Sequence, residues 1–175
     1  MALSVDPEFW SAVSLLGSPV TMALLCVALA GTLAARGRLH AAVAVALAQG
    51  GGGLLNVTLK NLVRRPRPPG SELLLHGFSW SFPSGHAMGS LIGYGMLCCC
   101  LVRYWHVAGA ARNSVCIAAA LTVIAIGTSR IQLGVHYPGD VFGGYLIGAA
   151  WLAIVISVLR RTERPPVSSP MAPAR

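Results

Sequence analysis

Two histidines and one aspartate stand out in this apolar chain because their side chains could carry out phosphoryl transfer. His136 and Asp140 are four residues apart, so on a helix, or on a loop entering one, the carboxylate can reach the imidazole. A carboxylate on one ring nitrogen fixes the tautomer and leaves the other nitrogen free to attack phosphorus. We therefore predict that His136 is a nucleophile and that Asp140 orients it.

The second histidine, His86, directly follows Ser84 and Gly85 at the start of an apolar segment. Serine is a good N-cap, and the free amides of a first helical turn form an anion site. A helix cap explains Pro83, Ser84 and Gly85, but it does not explain a histidine followed at once by apolar residues. We assign His86 as the general acid that protonates the leaving oxygen.

Basic residues near both histidines could hold the phosphate oxygens. Lys60 ends an apolar segment, Arg67 follows seven residues later, and Arg130 ends another apolar segment. An arginine at the end of a membrane span is costly unless it meets an anion, a partner or water. Ser129 could add a hydroxyl donor to the same anion.

The neighbouring arginines receive a different interpretation. Arg64 and Arg65 follow an apolar span, where basic residues usually signal topology or contact lipid headgroups.

The acidic residues are too few for a metal site of the magnesium type. The chain has five, and only Asp140 lies in a motif, so no carboxylate cage for Mg²⁺ is visible. His86 and His136 could in principle bind zinc, but the basic groups close by would oppose a cation. We predict catalysis without a metal or another cofactor.

The composition places these residues in a membrane protein. The chain has 175 residues, 55% hydrophobic and 10% charged, which is too apolar for an ordinary soluble fold. A spanning helix needs about 20 mostly apolar residues, and five segments qualify: about 17–35, 40–62, 85–102, 114–130 and 139–159. We predict an all-α, polytopic membrane helix bundle. The formal charge of +8 lies in short loops, so nucleic acid is not an expected partner.

The two ends of the chain are expected to lie outside the bundle. Residues 1–16 could form an amphipathic helix at the membrane interface, or they could be a frayed end. The membrane domain spans 17–160, and the tail 161–175 is rich in Pro, Ser and Arg, which predicts disorder.

The distribution of basic residues predicts the orientation of the spans. One set of loops carries seven lysines and arginines, and the other carries five, three of which belong to the candidate site. Since basic loops are retained on the inner side, the side away from the motifs should be cytoplasmic. The candidate site and the tail then lie on opposite sides, with the site on the outer face.

Three stretches of the chain resemble the signature of the type 2 phosphatidic acid phosphatase family, K-x6-RP, PSGH and SR-x5-H-x3-D. They stand here as Lys60…Arg67-Pro68, Pro83–His86 and Ser129-Arg130…His136…Asp140. The resemblance implies a metal-independent phosphatase that forms a phosphohistidine at His136. It also implies that the phosphate is bound by Lys60, Arg67, Ser84, Gly85, Ser129 and Arg130. The implied core is similar to that of vanadium haloperoxidases and bacterial acid phosphatases, although many members have six spans.

These features together favour a lipid phosphatase of a bacterial cytoplasmic membrane, with membrane lipids as its surroundings. We expect it to act on a lipid phosphate or diphosphate, with undecaprenyl diphosphate preferred over phosphatidylglycerol phosphate or phosphatidic acid. The alternatives are a lipid-dependent phosphotransferase and, outside the enzymes, a lipid-phosphate binding or transport protein. The sequence leaves the oligomeric state open.

Overall fold

A computed structural model describes residues 6–71 and 79–162 of the chain. These residues form six α-helices and the connections between them. The helices are α1 (Pro7–Leu15), α2 (Pro19–Ala35), α3 (Leu39–Val63), α4 (Gly85–Tyr104), α5 (Gly109–Gln132) and α6 (Pro138–Thr162). The predicted all-α fold is confirmed.

Local sequence signals explain where several helices begin and end. The Ser18 side chain accepts from the backbone N–H of Thr21 at 3.1 Å, and proline occupies the first position of α2, where its missing N–H has no intrahelical partner to lose. Pro138 begins α6 in the same way. α3 ends at Arg64, whose φ of 51° is a left-handed conformation that closes helices.

α4 is the central helix of the bundle, because it packs against α3, α5 and α6. Its core side chains include Met88 and Ile92, each 1% exposed. α6 approaches α4 most closely at Gly144, where an added Cβ would lie 2.8 Å from the carbonyl oxygen of Ser84. A side chain there would push the start of α4 away from α6, so this glycine sets the spacing of the two helices.

In the part of the chain that the structure describes, five helical stretches are long and apolar enough to cross a membrane: Pro7–Ala35, which joins α1 and α2, and helices α3 to α6. Large apolar side chains cover the outside of the bundle; Leu54 and Val27, for example, are each 70% exposed. Such a surface suits lipid rather than water. The chain is an integral membrane protein.

The predicted spans match α2 to α6, with one difference at α5. The prediction begins this span at 114, whereas α5 begins at Gly109. Hydropathy excludes the turn that contains Arg112, but a helix can continue past its apolar part with a charged residue at its exposed end.

The N-terminal segment is helical in its described part. α1 is capped by Asp6, which accepts from the backbone N–H of Glu8 at 2.9 Å, and it packs against α5. That α1 lies at a membrane interface stays a prediction. Residues 1–5 and almost all of the predicted tail 161–175 lie outside the described residues.

Candidate active site

The three sequence motifs meet at one end of the bundle. Lys60 lies near the end of α3, Ser84 to His86 form the start of α4, Arg130 lies near the end of α5, and His136 precedes α6. The backbone N–H of Ser84 donates to the carbonyl of Asp140 at 2.9 Å, which ties the starts of α4 and α6 together. Antiparallel packing therefore brings motifs from distant parts of the chain into one site.

His136 and Asp140 are neighbours, as their spacing predicts. Nδ1 of His136 lies 3.6 Å from Oδ2 of Asp140, and both side chains are buried. The same carboxylate oxygen accepts from the backbone N–H of Tyr137 at 2.9 Å and from the hydroxyl of Ser81. These donors fix the position of the carboxylate, which orients the imidazole next to it.

Arg65 is a site residue that the sequence analysis assigned to topology or lipid contact. Its Nη1 lies 2.9 Å from Oδ1 of Asp140, and its guanidinium lies over the ring of Tyr137, 4.5 Å from the centroid. Arg64, by contrast, donates to the carbonyl of Asn61 at the end of its own helix. No signal in the sequence separates these adjacent arginines, because the turn after α3 decides their directions.

Ser81 is the second residue that the sequence analysis missed. It is fully buried, donates to Asp140, and its hydroxyl lies 3.5 Å from Nδ1 of His136. The only sequence signal is its place in a stretch before Pro83 where serines alternate with aromatic residues, and this pattern does not indicate a direction for its hydroxyl.

The other ring nitrogen of His136 faces the basic cluster. Nη1 of Arg67 lies 3.2 Å from Nε2 of His136 and donates to the carbonyl of Val135 at 2.7 Å, while Nε donates to the carbonyl of Ser79 at 2.7 Å. Guanidinium can only donate, so Nε2 is the unprotonated nitrogen and the ring proton is on Nδ1, facing Asp140. In the free protein the lone pair of Nε2 therefore accepts from Arg67.

The surroundings of His136 strongly favour the neutral imidazole. Burial first, and then the positive charges of Arg67, Lys60 and Arg130, lower the pKa of His136 from 6.5 to about 2. Burial also lowers the pKa of Arg67, although the charge of Asp140 acts in the opposite direction. A neutral imidazole is the form that can act as a nucleophile.

The remaining cations are held by the protein and directed inward. Nζ of Lys60 donates to the carbonyl of Trp80 at 2.6 Å. Arg130 is 8% exposed and donates through Nη1 to the hydroxyl of Ser14 at 2.5 Å, while its Nε is buried without a hydrogen-bond partner. A buried charged donor without a partner is costly, so this atom is suited to an incoming anion.

The start of α4 has the geometry of an anion site. The Ser84 side chain accepts from the backbone N–H of Ala87 at 3.4 Å and is fully buried as the N-cap. Since this hydroxyl caps the helix, Ser84 acts on the site through α4, while Gly85 and His86 lie at the surface of the cavity.

A cavity of about 470 Å³ joins these groups. Six of the nine predicted site residues line it, namely Lys60, Arg67, Gly85, His86, Arg130 and His136. No carboxylate is among the described residues that line the cavity, so its charge is positive. Its body continues between α2, α3 and α4 past Met22, Val57 and Met88.

The other three predicted residues lie outside the lining. Asp140 is behind His136 and Ser84 caps α4. The buried hydroxyl of Ser129 donates to the carbonyl of Ile126 at 2.6 Å, and a role for Ser129 in phosphate binding stays a prediction. A hydroxyl within a helix readily bonds the preceding turn, and this one does not reach the cavity.

Within 6–71 and 79–162, no group of three or more His, Cys, Asp or Glu side chains is arranged to hold a metal ion.

Comparisons of sequence and structure find similar proteins in Bacillus subtilis. The chain is 38% identical over 95 residues to phosphatidylglycerophosphatase B of Bacillus subtilis (strain 168), an alignment that covers 54% of this chain and 46% of that protein. It thus spans about half the length of this curated relative. Its structure is similar to the crystal structure of a transmembrane PAP2-type phosphatidylglycerolphosphate phosphatase from Bacillus subtilis. The TM-score is 0.82 at 30% identity, over 90% of this chain and 78% of that one.

A family model for the PAP2 superfamily matches residues 20–164. This range includes every predicted site residue, helices α3 to α6, and all of α2 except its first residue. Together with the site geometry, the match shows that this chain belongs to the PAP2 superfamily.

Proposed function

We propose that this protein is a membrane lipid phosphatase that hydrolyses phosphatidylglycerol phosphate through a phosphohistidine at His136. One observation carries the proposal: Nε2 of His136 faces a cavity that is also lined by Lys60, Arg67 and Arg130, and Nε of Arg130 is buried there without a partner. A phosphoryl group in transfer spreads negative charge over three oxygens. Three cations and the amides of a helix start match that charge.

The first half of the reaction forms the covalent intermediate. Nε2 of His136 attacks phosphorus while the bond from phosphorus to the lipid oxygen breaks, and His86 gives that oxygen a proton. The attack makes the imidazole positive, and Asp140 beside Nδ1 stabilises this charge. Arg67, which lies against Nε2 in the free protein, moves its donor to a phosphate oxygen.

The second half releases phosphate. His86, now neutral, takes a proton from water as the water oxygen attacks phosphorus, and the bond between phosphorus and Nε2 breaks. His136 returns to its neutral form with the proton on Nδ1. The products are inorganic phosphate and a lipid alcohol.

The shape of the cavity supports an amphiphilic substrate. Its charged end lies at the motifs, and its body is lined by apolar or small residues such as Met22, Ala23 and Val57. A phosphate ester with an apolar tail would place the two parts of the molecule in these two environments.

The relatives support the choice of lipid, since both are phosphatidylglycerophosphate phosphatases by name. Undecaprenyl diphosphate is the second candidate. The distribution of lysine and arginine favours it, because it places the site on the outer face of a bacterial cytoplasmic membrane, where a carrier-lipid diphosphate could be recycled.

Phosphate release in detergent micelles with EDTA tests the proposal. Wild type and His136→Ala would be given phosphatidylglycerol phosphate, undecaprenyl diphosphate and phosphatidic acid in parallel. We expect the highest rate on phosphatidylglycerol phosphate and no release by the variant. A higher rate on undecaprenyl diphosphate would mean that this lipid, and not phosphatidylglycerol phosphate, is the preferred substrate. Equal release by wild type and His136→Ala would overturn the mechanism.

Two further measurements separate the alternatives. A phosphotransferase would pass the labelled phosphoryl group to an added alcohol instead of releasing inorganic phosphate, and a binding protein would release none. Trapping with ³²P-labelled lipid should give an acid-labile, base-stable phosphoprotein that is absent from His136→Ala. For the orientation, green fluorescent protein fused after Thr162 should fluoresce, because that end is expected to be cytoplasmic.

A further inference from the structure

One hydrogen bond joins the N-terminal helix to the basic cluster of the site. The hydroxyl oxygen of Ser14, in the last turn of α1, accepts from Nη1 of Arg130, in the last turn of α5, at 2.5 Å. Ser14 belongs to none of the three sequence motifs. Its contact with a site arginine therefore asks what α1 contributes to the site.

Ser14 is the buried residue of α1. Its exposed fraction is 5%, whereas the neighbouring Leu15 is 64% exposed and Phe9 is 52% exposed. The helix thus turns a small polar side chain toward the bundle and large apolar side chains away from it. Burial of a hydroxyl is costly unless it has a hydrogen-bond partner, and the guanidinium of Arg130 supplies a charged partner.

Two further contacts hold the end of α1 against the bundle. A Cβ on Gly17 would overlap the side chain of Ile126, which lies one helical turn before Arg130 in α5, so a larger residue would push the connection between α1 and α2 away from α5. The hydroxyl of Tyr94 in α4 donates to the carbonyl of Leu16 at 3.0 Å. The buried hydroxyl at the end of α1 therefore has a fixed position relative to α5.

The bond to Ser14 limits the orientation of the other donors of Arg130. A guanidinium is planar and its five N–H groups have fixed relative directions, so an acceptor held at Nη1 restricts rotation of the whole group. Arg130 lines the cavity, and its Nε is buried without a hydrogen-bond partner. Because the protein occupies Nη1, the Nε–H remains to be paired by an anion.

We propose that Ser14 is a positioning residue, whose hydroxyl holds the guanidinium of Arg130 in the orientation that presents its remaining donors to the phosphate. The inference rests on the proposed function and deepens it, because it makes α1 part of the phosphate site. Ser14 is not among the residues that line the cavity, so it acts through Arg130. A donor that is already oriented needs no reorganisation as charge develops on the phosphoryl oxygens.

Steady-state kinetics of Ser14→Ala tests this inference. The variant removes the acceptor of Nη1, and kcat/KM for phosphatidylglycerol phosphate should fall by about 10-fold, the effect of one hydrogen bond to a charged group. Ser14→Thr keeps the hydroxyl and should recover most of this loss. The matched control is Ser11→Ala, the same substitution at an exposed position of α1, which should leave kcat/KM unchanged.

A double-mutant cycle separates positioning from a general effect on folding. In the Arg130→Gln background, Ser14→Ala should have almost no further effect, because the group that Ser14 positions is gone. The same loss in both backgrounds would overturn the inference. An unchanged or higher kcat/KM in Ser14→Ala alone would also overturn it, and so would a Ser14→Thr variant as slow as Ser14→Ala.

Failure of the proposed function would give a different result. If wild type released no more phosphate than His136→Ala, the proposed function would fail and this inference with it. If wild type were active and Ser14→Ala were equally active, only the role of Ser14 would be lost.

Discussion

Both ends of the bundle have a cavity lined by arginines and histidines, but the motif end also holds a carboxylate beside one of its histidines. At the motif end, Arg67 and Arg130 are bound to the protein and directed into the cavity. At the opposite end, Arg36 lies over the ring of Trp105 at 4.8 Å, and Arg38 lies over the ring of Tyr104 at 5.9 Å. The number of cations is similar, but their surroundings differ.

This difference shows what a phosphate site needs beyond positive charge. The motif end adds a helix start with free amides, a carboxylate held behind a histidine, and a buried donor without a partner. The opposite end has arginines that rest on aromatic rings, an arrangement typical of a membrane surface, where such pairs stabilise by about 1 kcal/mol. Replacing a histidine or an arginine by a neutral residue should therefore lower turnover strongly at the motif end and very little at the opposite end.

The largest difference in turnover is expected between a histidine variant at the motif end and one at the opposite end. His136→Ala should lower kcat by about 10³-fold or more, because the nucleophile is lost. His40→Ala, at the opposite end of α3, should leave turnover unchanged, since His40 lies far from the cavity of the motifs. Phosphate release by the two purified variants checks this, and comparable losses in both would remove the distinction between the ends.

The next largest difference is expected between an arginine variant at the motif end and one at the opposite end. Arg130→Gln should lower kcat/KM by roughly 100-fold, the usual effect of losing one donor to transition-state charge. Arg38→Gln serves as the control at the opposite end and should change kcat/KM by less than about twofold. Steady-state kinetics on one lipid is sufficient, and a small effect of Arg130→Gln would argue against its contact with phosphate.

A smaller contrast is expected between two adjacent residues. Arg65→Gln removes the ion pair with Asp140 and should lower kcat by about 10-fold, a value reduced by solvent screening because the Arg65 side chain is 41% exposed. Arg64→Gln loses only a bond to the carbonyl of Asn61 and should be near wild type. Equal effects in the two variants would mean that Arg65 acts through general charge and not through Asp140.

The smallest change is expected in the protonation of His136 with pH. Because burial and nearby cations lower its pKa to about 2, the imidazole should remain neutral, with the proton on Nδ1, from pH 8 down to pH 5. ¹⁵N NMR of histidine-labelled protein, assigned with His136→Asn, measures this directly. Protonation near pH 6.5 in the free protein would contradict the buried, positive surroundings of this residue.

The same pKa has a consequence for stability. In the unfolded chain, an imidazole with its ordinary pKa of 6.5 takes up a proton as the pH falls, whereas the folded protein does so only near its lowered value of about 2. Uptake by the unfolded chain alone favours unfolding. The contribution of His136 is therefore absent above pH 6.5 and destabilising below it.

The sequence was most informative where polar residues interrupt apolar segments. The spans follow from hydropathy, and Ser84 with Gly85 indicates a helix start that the structure places at that residue. His136 and Asp140 meet because the short loop that enters α6 keeps the imidazole next to the first turn of that helix. The roles that we give to His86, His136 and the basic residues remain predictions for kinetics to test.

The sequence was least informative where side-chain direction depends on packing. The sequence predicts that the hydroxyl of Ser129 is a donor beside Arg130, whereas in the structure this hydroxyl donates to the carbonyl of Ile126. The sequence gives Arg65 the same interpretation as Arg64. In the structure, the left-handed conformation of Arg64 directs the side chain of the following residue, Arg65, to Asp140.

The sequence by itself determined the number and approximate positions of the spans and which residue types lie at the motif end, because a membrane tolerates polar groups at few places. Only the tertiary structure decided which of these side chains share a cavity. Lys60, His86 and His136 come from different segments, and their meeting depends on how closely α4 packs against α3 and α6. The same packing leaves Gln49 facing the cavity, a direction that helical periodicity alone does not distinguish from a contact with lipid.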